Sequence, residues 1–220
     1  MDTIKDILLN HYPNHVGYTA GAQIIYPCNI KTSDFSLGDS KACMKCAIVN
    51  NCNQIVMNIK TDAPVAVLEF ETFVNQFGNK SVTINGKRCD YLLYDPSEAK
   101  SKIAFCELTC SDAKFVESNN GRYSNGKRAH AYQQVKNSLE HLLSVPVLDV
   151  NILTYPSTSR YGVFGWREKN EPSDDKVLES LADFIDTPSA AEPIMYTQDF
   201  VLGHNFTFIQ VKYPFILHWN

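Results

Sequence analysis

Two carboxylates in this chain sit where apolar strands are expected. Residues 102–110 read as a strand carrying Glu107 near its middle, and residues 88–94 read as the preceding strand, carrying Asp90. Side chains alternate along a strand, so Ile103, Phe105, Glu107, Thr109 and Ser111 share one face while Ala104, Cys106, Leu108 and Cys110 share the other. Both faces are largely apolar, the pattern of a buried central strand. A carboxylate there is costly unless a partner or a metal compensates it. If the hairpin sets Asp90 beside Glu107, the two carboxylates converge as they do where oxygen ligands hold Mg²⁺ and orient a phosphate and a water. The plainer alternative is that Asp90 caps a strand end or pairs with Arg88, and that Glu107 meets a helix lysine such as Lys136.

Positioning these groups takes a hairpin and then a helix. Asp95-Pro96-Ser97-Glu98 is a turn signal between the two strands, because Pro96 fixes φ and short polar side chains satisfy the turning backbone. Residues 127–143 read as a helix with Tyr132, Val135 and Leu139 on the sheet-facing stripe and Gln133, Lys136 and Glu140 on a flank near the sheet edge. Ahead of the hairpin, residues 79–87 suggest a short strand ending in an Asn85-Gly86 turn. After the helix, residues 148–155 alternate as a strand that a crossover would place parallel to the Glu107 strand.

An Asp on one strand, a Glu two residues before a polar position on the next, and a following helix with Gln and Lys resemble the PD-(D/E)XK, or restriction-endonuclease-like, nuclease superfamily. The resemblance covers about a third to a half of the chain, from about Val65 to about Pro156. It implies an α/β fold with a central mixed sheet flanked by helices, a restriction-endonuclease-like core, and Asp90 and Glu107 as ligands of Mg²⁺ or Mn²⁺. Thr109 stands where the superfamily has its lysine. Lys127 or Lys136 would then supply the cation that positions the attacking water, with Gln133 or Gln134 in the place of the glutamine often found on that helix.

Seven cysteines without an export signal point to reduced thiols, a metal or small buried hydrophobes rather than disulfides. Cys89, Cys106 and Cys110 read as core packing. Cys28, Cys43, Cys46 and Cys52 lie ahead of the strands, and the Cys43-x-x-Cys46 pair can grip one ion that two further thiolates complete, as zinc or an iron-sulfur cluster. Some members of the superfamily carry such a cluster with cysteines on both sides of the core, whereas here all four precede it; ordinary reduced cysteines are the alternative.

The composition of the chain, 44 % hydrophobic and 20 % charged, is that of a globular protein rather than a disordered one. No apolar run spans a bilayer, and residues 1–6 lack the basic start and apolar stretch of a signal peptide, so the chain reads as cytoplasmic with no membrane partner. The net charge of −4 argues against indiscriminate coating of nucleic acid. Residues 80–136, however, hold ten of the twenty Lys and Arg against six acids, a local +4 that suits a phosphate-bearing substrate. A short helix from Thr3 to Leu9, a strand over residues 54–59, a strand or helix over 65–77, a polar loop over 111–126, a short strand over 163–166, a helix over 174–185, a linker over 186–193 and a closing aromatic hairpin over 200–212 complete the reading. His130 and His141 are expected at the surface or core edge. Residues 1–64 read as an N-terminal segment packed on a core of residues 65–220, one compact unit. Two functions fit: a metal-dependent nuclease acting on DNA or RNA, or an inactive relative of that fold that binds a protein or nucleic acid through the 111–126 loop or the aromatic tail. A thiol or iron-sulfur redox protein is a third, minor reading.

Overall fold

The chain visits its strands in an order that places the Glu107 strand at the centre of a sheet. The computed structural model describes residues 3–19, 23–38, 55–78, 88–111, 114–117, 126–168, 196–214 and 216–219. The strand and turn expected over 79–87, the helix over 174–185, the linker over 186–193, most of the 111–126 loop, and Cys43, Cys46 and Cys52 lie outside the described residues.

The first helix, α1 (Ile4–Asn10), is capped by Thr3: Thr3 Oγ1 accepts the Asp6 N–H at 3.2 Å and Asp6 Oδ2 accepts the Thr3 N–H at 3.1 Å. Its buried stripe is Ile4, Ile7 and Leu8. A single turn, α2 (Tyr12–His15), follows. Next come β1 (Cys28–Lys31), β2 (Phe35–Gly38), β3 (Ile55–Lys60) and β4 (Val65–Glu69). The run over 65–77, ambiguous by periodicity, is strand and then helix, since β4 passes directly into α3 (Phe70–Asn75). The Asp90 carbonyl accepts the Phe70 N–H at 2.8 Å and so satisfies a donor that the start of a helix leaves open.

The centre of the fold is the hairpin of β5 (Tyr91–Tyr94) and β6 (Ile103–Cys110), followed by α4 (Lys114–Glu117) and the long α5 (Gly126–Leu143). The hairpin turn closes on Asp95, whose carboxylate accepts the N–H groups of Ser97 and Ser101, each at 2.8 Å. After α5 come α6 (Leu148–Ile152), β7 (Arg160–Arg167), β8 (Tyr196–Val201), β9 (Thr207–Lys212) and β10 (Ile216–His218).

The protein is α/β. Its main sheet runs β1-β4-β5-β6-β7-β9-β8, with β4, β5 and β6 an antiparallel meander and β7 and β9 parallel to β6. A second sheet, β10-β3-β2, packs on one face through Val56, Met57, Ile59, Leu37 and Leu217. The other face is covered by α1, α3, α5 and α6. Strand β6 is therefore buried on both sides, as its alternation predicts: Ile103 and Phe105 join the helix-side core, while Ala104, Cys106 and Leu108 join the core under the small sheet.

Among the described residues before position 65, β1 is an edge strand of the main sheet and β3 pairs with the C-terminal β10. Residues 148–155 are not a strand. Leu148 and Ile152, four apart, bury together on the short helix α6, and the strand parallel to β6 is β7. Gly162 and Gly165 weaken the strand signal of β7 in the sequence. Close packing accounts for both: a Cβ on Gly162 would run into Leu202 and Val135, and one on Gly165 into Leu108. The expected tail hairpin forms as β8 and β9. Among the described residues no helix is long and apolar enough to cross a membrane.

Candidate functional site

Register brings the two acids together. Tyr91 pairs with Cys106, so one residue further Asp90 faces Glu107 across the hairpin, on the helix side of the sheet. Asp90 Oδ2 accepts the Leu108 N–H at 2.8 Å, which ties its carboxylate to the neighbouring strand just beyond Glu107. Both side chains are nearly covered, at 4 % and 8 % exposure, so any ligand they hold would be largely out of bulk water. Their charges reach Cys89: burial raises its thiol pKa first, and Glu107 and Asp90 add to the rise against a hydrogen bond from Ser138 that lowers it. Burial, then the Asp90 charge, raises the Cys106 thiol as well. Both thiols are held protonated and act as core packing.

Helix α5 brings one of its two candidate lysines to this face. Lys127, in its first turn, donates from Nζ to Thr109 Oγ1 at 2.8 Å, so an ammonium arrives at the position two residues beyond Glu107. Lys136 does not. Nine residues further on at 100° each, it projects from the opposite side of the helix, and it pairs with Glu140 at 3.8 Å on an exposed surface. Gln133 is likewise exposed and bonds Asn137 at 2.7 Å. Gln134 is buried, and its Nε2 donates to the Arg88 carbonyl at 2.8 Å. Four residues later the Ser138 hydroxyl accepts the Cys89 N–H at 2.9 Å. These two bonds clamp the backbone immediately ahead of Asp90 to the helix; neither the role of Ser138 nor the structural use of Gln134 has a signature in the sequence.

The face continues across the sheet. Glu107 is in register with Phe164 and that residue with Gln210; Thr109 is in register with Trp166 and that residue with Lys212. Lys212 Nζ lies 5.0 Å from the centre of the Trp166 ring.

Among the described residues no three His, Cys, Asp or Glu side chains gather into a metal-binding group. Two carboxylates from adjacent strands are an all-oxygen donor set that fits Mg²⁺ or Mn²⁺, since Mg²⁺ is held by one or two carboxylates and keeps several waters. They lack the thiolates that hold an iron-sulfur cluster. Cys28, the one member of the cysteine set among the described residues, lies in β1 against Tyr26 and Tyr94, where burial raises its thiol.

His141 is not at the surface. It is buried in α5 with Nε2 2.8 Å from the Tyr12 hydroxyl, and burial, followed by His15 and Arg88, lowers its pKa to about 4. A pocket at the far end of the hairpin is lined by Asp95, Lys100, Asn151 and Tyr155 among others, and several of these groups bond within the wall: Lys100 to Asn151 and Thr154, and Tyr155 to the Asp95 carbonyl. No family model, no curated protein and no solved structure matches the chain.

Proposed function

We propose that this protein is a divalent-metal-dependent nuclease that hydrolyses phosphodiester bonds in DNA or RNA, with Asp90 and Glu107 as the metal-binding acids. The observation that carries the reading is the 2.8 Å bond from Lys127 Nζ to Thr109 Oγ1. It brings an ammonium to the place where the restriction-endonuclease-like pattern has a lysine on the strand. The succession of the β4-β5-β6 meander, the α5 crossover and the parallel β7 supports a core of that type. The metal, when bound, supplies a Lewis acid that favours hydroxide at neutral pH and offsets charge on the phosphate.

The residues of the chain do the rest. Asp90 and Glu107, fixed by register and by the Leu108 N–H, present oxygens from two neighbouring strands without any need to reorganise. Lys127 keeps its proton at Nζ and directs it toward the attacking water and the phosphate oxygens as negative charge develops there. Gln134 and Ser138 touch neither substrate nor metal in this scheme; they hold the backbone of residues 88 and 89.

The purified protein is expected to cut single-stranded or duplex DNA or RNA with Mg²⁺ or Mn²⁺. Glu107→Ala and Lys127→Met should each slow cutting by about 100-fold or more, the scale seen when one transition-state donor or charge is lost. Adding Thr109→Lys to Lys127→Met moves the ammonium from helix to strand and should restore part of the rate. Undiminished cleavage in Glu107→Ala removes this mechanism.

One observation favours a second reading, a binding protein that keeps the fold without the chemistry. Asp90 is almost wholly buried and already commits one oxygen to Leu108. Titration with Mn²⁺ followed by calorimetry decides: no heat of binding, together with no cleavage, leaves the binding protein.

A further inference from the structure

One buried donor beside the two acids has no partner within the described residues. Trp166 is only 6 % exposed, and its indole Nε1–H makes no hydrogen bond there. Leaving such a group unsatisfied is expensive, so a buried indole N–H usually finds an acceptor. An indole nitrogen can only donate.

Two lysines flank it. Thr109 on β6, Trp166 on β7 and Lys212 on β9 form one row across three adjacent strands, with Lys127 bonded to Thr109 at one end and the Lys212 ammonium over the indole ring at the other. Strand spacing puts the backbones of Thr109 and Lys212 about 10 Å apart. A row with an ammonium at each end and an unsatisfied N–H between them selects an anion with several acceptor oxygens. It lies two residues along the strands from the Asp90 and Glu107 pair, on the same face of the sheet.

We propose that Trp166 and Lys212 form a subsite for a backbone phosphate adjacent to the one that is cleaved. The assignment rests on the nuclease reading and extends it from the reacting phosphate to its neighbour along the strand. Trp166 Nε1–H donates to a non-bridging phosphate oxygen, and Lys212, steadied on the indole face, balances the charge.

Fluorescence tests this directly, because the chain has two tryptophans and Trp219 belongs to the core under the small sheet, on the other face. In a Trp219→Phe protein, Trp166 is the only indole. With EDTA present to stop cleavage, inorganic phosphate, a mononucleotide and a labelled oligonucleotide are titrated in turn, and oligonucleotide anisotropy reports saturation independently. The oligonucleotide is expected to change Trp166 emission at far lower concentration than the two small ligands. In the otherwise native protein, Trp166→Phe should weaken oligonucleotide binding roughly tenfold or more, the value of a hydrogen bond to a charged group. Lys212→Met should lower the salt dependence of binding by about one phosphate contact, and it carries the test if Trp166→Phe does not fold.

Unchanged Trp166 emission at oligonucleotide saturation overturns the subsite, as does native affinity in a folded Trp166→Phe or Lys212→Met. A response to inorganic phosphate alone overturns the backbone assignment. The two proposals separate cleanly: oligonucleotide binding at Trp166 without metal-dependent cleavage keeps the subsite and removes the nuclease, whereas cleavage with native KM in Trp166→Phe removes the subsite alone.

Discussion

Replacing Ser138 by Ala should loosen the clamp that holds Asp90 in place. Ser138 is fully buried, and its hydroxyl accepts the N–H of Cys89, itself fully buried, at 2.9 Å. Alanine leaves that N–H without an acceptor, at a cost of about 1–3 kcal/mol. The hydroxyl also donates to the Gln134 carbonyl, but that carbonyl keeps its ordinary helical bond, so the second loss is small. Alanine is the better helix former and returns about 0.5 kcal/mol. The net loss is therefore about 0.5–2.5 kcal/mol, which for a chain of this size lowers Tm by about 1–10 °C. Urea unfolding measures the loss. Hydrogen exchange locates it, since the Cys89 amide should lose protection while amides of β9 do not. A change below about 0.5 kcal/mol, the range of an inconsequential surface substitution, with Cys89 still protected, would refute the argument that α5 anchors the strand ahead of Asp90.

Two further outcomes follow from packing and charge. His141 has its pKa depressed from 6.5 to about 4, so the unfolded chain binds its proton first as the solution is acidified. Stability should be intact above pH 6.5, fall by a few kcal/mol between pH 6.5 and 4, and show no further loss from this group below that; a His141→Gln protein should lack that component in urea midpoints measured across the range. Gly162→Ala puts a methyl against Leu202 on one side and, at 2.7 Å, against Val135 Cγ1 of α5 on the other. It should cost about 1–3 kcal/mol by overpacking, and a thermal scan with an unchanged midpoint would show that α5 can lift away from β7 freely.

Helix α5 shows both what is local and what is not. The stripe of Val135, Leu139 and Leu142 is plain in the text, and the helix forms there. Its chemistry is not plain. Lys127 and Lys136 both look available to a site beside β6, yet nine residues of helix set them half a turn apart in azimuth, so packing Val135 on the sheet admits only one of them. The same packing turns Gln134 inward to the Arg88 carbonyl and leaves Gln133 with Asn137. At α6, a run that alternates also has apolar residues four apart, and over so few residues the two periods are indistinguishable. The glycines of β7 lower its strand propensity, and their purpose is visible only beside Leu108, Val135 and Leu202.

What the chain determines by itself is local: the Thr3 cap, the Asp95 turn, and the alternation that sets Glu107 and Thr109 on one face of a strand buried on both sides. The backbone's own periods of two and 3.6 fix these. Which cation reaches Thr109, which strand lies parallel to β6, and which tryptophan meets which lysine depend on residues tens of positions apart. Only the closing of the sheet, with α5 laid across it, brings them within the few ångströms at which a hydrogen bond or a charge acts.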